Sequence, residues 1–139
     1  MKFQCVIPNY AGGGYMTIQE CYRNLGGDFN RTEKRLPGPG MIRRFLLRFP
    51  QDPTFSSLCQ AMREGDRAAA FRCAHTLKGV CANLGLDRLL DSSGRLTEAL
   101  RAEGEGIPPD AAALLEQVRQ DHALTVSAIR SYSDSESVQ

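Results

Sequence analysis

The chain has almost no net charge: Lys+Arg 17 against Asp+Glu 16 leaves +1. It has no long-range field to gather a polyanion, so nucleic acid and anionic membrane are not expected as primary partners. Long apolar runs are also missing, so no segment is expected to span a bilayer. The five cysteines, Cys5, Cys21, Cys59, Cys73 and Cys81, include no CxxC pair and no framework spacing, which argues against both a disulfide scaffold and a zinc site. A reducing, cytoplasmic compartment fits that usage. The first fifteen residues lack the apolar stretch of a secretory signal. No segment keeps period-two alternation with β-branched residues, so there is nothing from which to build a sheet.

What remains is globular: 42% hydrophobic and 24% charged residues in 139, enough for one compact core. Residues 1–15 read as a tail broken by Pro8 and Gly12 to Gly14. Gly12-Gly13-Gly14-Tyr15-Met16 can be encoded with a purine-rich ribosome-binding site just before the Met16 codon, so Met16 is the expected natural start. Residues 133–139 (SDSESVQ) are polar and acidic without an apolar face, and are expected to fray.

Between those ends the chain reads as helices. Thr17 and Glu20 form a capping box, followed by Ile18, Cys21, Tyr22 and Leu25 at helical spacing and a stop at Gly26-Gly27. Asp28 can cap a second short helix to Leu36. An apolar stripe, Met41, Ile42, Phe45, Leu46 and Phe49, resumes past Pro50 and Pro53 as Phe55, Leu58, Cys59 and Met62, which predicts one long helix with a break. Gly65-Asp66 ends it and caps the next, which runs to about Asn83 and stops at Gly85. A helix over 88–102 and a last one over 110–132, opened by Pro108-Pro109, complete the set. The expected fold is all-α, an antiparallel up-and-down four-helix bundle with two extra short N-terminal helices covering one end.

On a wheel at about 100° per residue with His75 at zero, Ala70, Cys73, Ala74, Leu77, Val80, Cys81 and Leu84 fall in one arc of about 120° opposite it. That arc is the predicted core face. Ala68, Phe71, Arg72, Lys78, Gly79 and Ala82 surround His75 on the outer face. An exposed helical histidine is most often an ordinary polar surface residue, and two cations beside it are ordinary solvated charge. A glycine in mid-helix, however, costs about 1 kcal/mol relative to alanine and calls for a reason. A phosphoryl group carried on His75 accounts for all three. Neutral imidazole is a nucleophile near pH 7, Gly79 clears space beside the ring, and Lys78 one turn away can offset phosphoryl charge. Phe71 reads equally as a boundary core residue and as an apolar docking contact.

The string His75-Thr76-Leu77-Lys78-Gly79, joined to Asn83-Leu84-Gly85 and to Leu86, Leu89 and Leu96, resembles the phosphoacceptor motif of histidine-containing phosphotransfer (HPt) domains. The resemblance covers residues 16–132 and implies a four-helix bundle relaying phosphate between receiver-domain aspartates, or from a histidine kinase. It implies His75 as phosphoacceptor, Lys78 as the charge-stabilising lysine and Gly79 as the residue giving access. Phe71, Arg72, Ala68 and Ala82, which surround His75 on the outer face, are the expected partner-docking residues. No cofactor or metal is implied for this chain, since the Mg²⁺ of such a transfer is expected on the receiver. The Pro50-Gln51-Asp52-Pro53 break departs from a helix that is commonly continuous in that family.

Other chemistries fit poorly. His122 falls on the stripe Leu115, Val118, Val126, Ile129 and is expected to be structural. Cys73 lies about 160° from His75, too far around for a metal pair or a Cys-His nucleophile. There is no GxxxxGK[ST] loop, so autonomous kinase activity is not expected. The alternative reading is an inert helical module of the same fold that only docks signalling partners; a monomer is expected in either case.

Overall fold

A computed structural model describes residues 15–36, 38 and 40–137; the presumed tail over 1–14 lies outside the described residues. They form seven α-helices and no strand: α1 (Ile18–Leu25), α2 (Phe29–Arg35), α3 (Met41–Arg48), α4 (Thr54–Arg63), α5 (Arg67–Leu84), α6 (Asp87–Arg101) and α7 (Ala111–Ser137). A single 3-10 turn, Phe49–Gln51, links α3 to α4. The predicted break is therefore real. Pro50 and Pro53 cannot donate the amide hydrogens a continuous helix would need, and Asp52 restarts the path by accepting from the Thr54 amide at 2.8 Å.

The segment α3–α4, together with α5, α6 and α7, makes the four-helix bundle. Helix α5 lies between α4 and α6, and α6 packs in turn on α7. The shared interior holds Leu46, Leu58, Leu77, Leu89, Leu96, Leu100, Val118 and Ile129. Hydroxyls that face this core satisfy themselves locally: Ser93 and Thr97 donate to the Leu89 and Ser93 carbonyls at 2.7 Å.

The two short helices clamp the α5–α6 turn. The capping box of α1 is complete, with Glu20 N donating to Thr17 Oγ1 at 3.0 Å and Thr17 N to Glu20 Oε1 at 2.8 Å. Gly26 then takes the left-handed conformation that an L side chain would resist (φ 79°). From α1, the buried Tyr22 hydroxyl donates to the Leu84 carbonyl at 2.7 Å. Asp28 N donates to Gly85 O and Arg88 N to Gly26 O, both at 3.1 Å, and Arg31 bridges Asp28 and Asp87. Cys21 packs on α7 in this region, and burial pushes its thiol up to about 12.

Two boundaries need correcting. Helix α7 begins at Ala111, because Pro108 and Pro109 form the preceding turn, in which Ala111 N donates to Pro108 O at 3.0 Å. At the other end the helix continues to Ser137, so the expectation of a frayed tail from Ser133 does not hold over that span. The last turn is held by polar contacts: Arg43 Nε donates to Glu136 Oε1 at 2.9 Å, the Tyr132 hydroxyl donates to Glu136 Oε2 at 2.9 Å, and Met16 N donates to Ser135 Oγ at 2.5 Å. Among the described residues no helix is long and apolar enough to cross a membrane.

Candidate functional site

Helix α5 is fixed at both ends by its own sequence. Asp66 Oδ1 accepts from the Ala69 amide at 3.1 Å, and Gly85 closes the helix in the left-handed conformation (φ 69°). Ala70, Ala74, Leu77, Cys81 and Leu84 are buried along one face. Cys73 and Val80, at the edges of the predicted core arc, are only half-buried and pack against the rim of the core.

The face opposite the core carries the candidate residues. His75 is exposed, as are Ala68, Arg72 and Gly79, while Phe71, Lys78 and Ala82 are half-buried. The imidazole stacks against the Phe71 ring with centroids 5.8 Å apart and planes at 29°. Phe71 also receives the Arg101 guanidinium, 5.2 Å from the ring centre, so Phe71 both lines the edge of the core and supports the histidine. Arg72 makes no ion pair with a carboxylate among the described residues. The Ala82 carbonyl accepts from Arg35, which ties α2 to the far end of the face.

Gly79 has nothing beside it: a Cβ there would meet no heavy atom within 4 Å. The helix therefore carries a glycine that internal packing does not require. Lys78 runs toward α6, its Cδ and Cε lying 3.9 Å from where Gly94 would carry a Cβ. Lys78 stands three residues after His75, about one turn along the same helix.

Two concavities flank this face. One of about 390 Å³ is lined by Arg67, Phe71, Arg72, Leu100 and Arg101, where α5 begins and α6 ends. The other, about 510 Å³, opens at the helix break between Phe45, Phe49, Val80 and Leu84.

His122, the second histidine, has a different setting. It is half-buried on α7 and stacks on Phe55 at 4.2 Å with an 18° tilt, with Phe49 at 5.7 Å. Burial holds its pKa below the ordinary 6.5; Asp52 offsets part of this and Arg130 adds to it.

Sequence reasoning did not find the α6 residues Gly94, Glu98 and Arg101. Gly94 was detectable by the argument applied to Gly79, a glycine spent inside a helix; Glu98 and Arg101 were not, because only the antiparallel register places them beside α5.

The molecule is thus a four-helix bundle that displays one histidine to solvent, with a lysine and an unobstructed glycine on the same face. The sequence model of the Hpt domain matches residues 41–126, from α3 into α7, and the chain belongs to that family. Hpt domains carry out histidine phosphotransfer in phosphorelays and interact with receiver domains and histidine kinases. Neither the curated proteins nor the solved structures provide a match.

Proposed function

We propose that this protein is a phosphorelay intermediate in which His75 takes a phosphoryl group from a receiver aspartate or a histidine kinase and passes it on. The observation that carries the reading is the exposed His75 ring beside Gly79, whose open flank no internal contact explains.

In the forward step a nitrogen of neutral His75 attacks the phosphorus of an aspartyl phosphate. The new N–P bond forms as the acyl O–P bond breaks, and the electron pair leaves with the partner's carboxylate. The reverse step returns the group to a second aspartate. Attack and departure in line through a loose transition state demand mostly position and charge compensation. The Phe71 ring steadies the imidazole, and Lys78 supplies positive charge to the phosphoryl oxygens once a docked partner excludes water. The ring nitrogen farther from the backbone reaches out best. Mg²⁺ belongs to the receiver in this scheme, and Arg72, Phe71, Ala68 and Ala82 form the surface on which the receiver sits. A cytoplasmic monomer suits the exchange.

Incubation with phosphorylated receiver domains, or with a histidine kinase and ATP, tests the reading. Acid-labile label that is kept in His122→Gln and lost in His75→Gln supports relay. Partner binding without label would show a docking module instead and overturn it.

A further inference from the structure

We propose that α6 is a working part of this site, in which Gly94 and the Glu98–Arg101 pair keep the Lys78 ammonium group free and directed at His75. The inference rests on the relay reading above and adds positioning residues to it.

The Lys78 stem needs a path across α6, and Gly94 leaves one. A Cβ at this position would stand 3.9 Å from Lys78 Cδ and Cε, in ordinary contact, so the path admits a methyl while a longer side chain would compete with the stem for the same space. Like Gly79, Gly94 sits in a helix interior, where glycine is disfavoured. One turn further along the same face stands Glu98, the carboxylate placed to capture an amine that follows this path.

Lys78 does not pair with Glu98, and Arg101 does. Arg101 Nε donates to Glu98 Oε1 at 3.1 Å and its terminal nitrogen to Oε2 at 2.9 Å, a two-point fork that engages both oxygens. Lys78 forms no ion pair among the described residues. Its charge nonetheless reaches Glu98: the carboxyl is held below its ordinary value first by the Arg101 hydrogen bond and, more weakly, by Lys78. Both members of the Glu98–Arg101 pair are more than half exposed, at 60% and 53%, so the pair adds little to folding. Its consequence is that Arg101 compensates the Glu98 charge and weakens its pull on the lysine.

The test uses phosphoramidate as a small phosphodonor: the His75 nitrogen bonds to phosphorus, the donor P–N bond breaks, and ammonia departs. Arg101→Gln should slow single-turnover labelling of His75 by about two- to fivefold at low salt, the scale of one screened surface pairing, with the loss shrinking as salt rises. Arg101→Gln with Glu98→Gln should recover the wild-type rate, and Gly94→Leu should be slow. In a Lys78→Ala background, neither Arg101→Gln nor Gly94→Leu should slow labelling further.

A wild-type rate in Arg101→Gln overturns the inference. So does a loss that Glu98→Gln fails to rescue, which would place the effect in the Phe71 stack. Failure of the wild-type protein to take label at His75 overturns the relay reading itself, and this inference with it.

Discussion

Gly79 offers a perturbation with opposite expected effects on stability and function. Because a Cβ at that position meets nothing within 4 Å, Gly79→Ala changes only the backbone preference of an exposed site inside a long helix. Alanine is favoured there by about 1 kcal/mol, partly through the unfolded chain. For a domain of this size that is a rise in Tm of about 3–6 °C. Leucine is nearly as good a helix former, so Gly79→Leu should also be at least as stable as the wild type. It would, however, fill the open side of His75. A small displacement of reacting groups can reduce a rate by about a hundredfold, and receiver transfer in Gly79→Leu should fall by about ten- to a hundredfold. Thermal unfolding and single-turnover transfer to a receiver measure the two effects. A destabilised Gly79→Ala would mean the glycine serves the fold, and full-speed transfer by Gly79→Leu would refute the access argument.

Further outcomes follow from single contacts. Lys78→Ala should slow transfer by at least about tenfold, the worth of one charge-assisted contact, while the urea midpoint moves little; equal transfer rates would remove the lysine from the mechanism. Burial lowers the His122 pKa from 6.5, so the unfolded chain binds a proton more readily than the folded one below that value. This contribution to stability is complete above about pH 6.5 and is lost as pH falls through the window toward the lowered folded value. His122→Phe should flatten the slope in that window, and an unchanged slope would contradict the assignment. Tyr22→Phe deletes the 2.7 Å bond to the Leu84 carbonyl, which keeps only Thr32 Oγ1 at 3.3 Å. The variant should lose about 1 kcal/mol in urea unfolding, and an unchanged midpoint would argue against the clamp on the α5–α6 turn.

Local signals carried most of the fold. The Thr17–Glu20 box, the Asp28 and Asp66 caps and the Gly26 and Gly85 stops act within one turn of chain, and each lies where the pattern puts it. The proline break between α3 and α4 was legible for the same reason. The outer face of α5 could be read from helical period alone, since one wheel places His75 opposite Leu77 and Cys81. Contacts that depend on how helices pack were hidden. Cys73 and Val80 belong to the apolar arc by angle, yet they are only half-buried at its edges, because a single helix does not specify how far its neighbours reach around it. The last turn of α7 looked unsupported because Arg43, which pairs with Glu136, lies far away in sequence. The same gap concealed Arg101, which sits over the Phe71 ring, and its partner Glu98.

The most direct measurement of the central claim follows one phosphoryl group. The protein is labelled by a phosphorylated receiver, the modified residue is located by peptide mapping, and the labelled protein is then chased with fresh, unphosphorylated receiver. Relay through His75 requires label on His75 alone, with none on His122, and its departure onto the receiver in the chase. Label elsewhere, or label on His75 that no receiver removes, would contradict it.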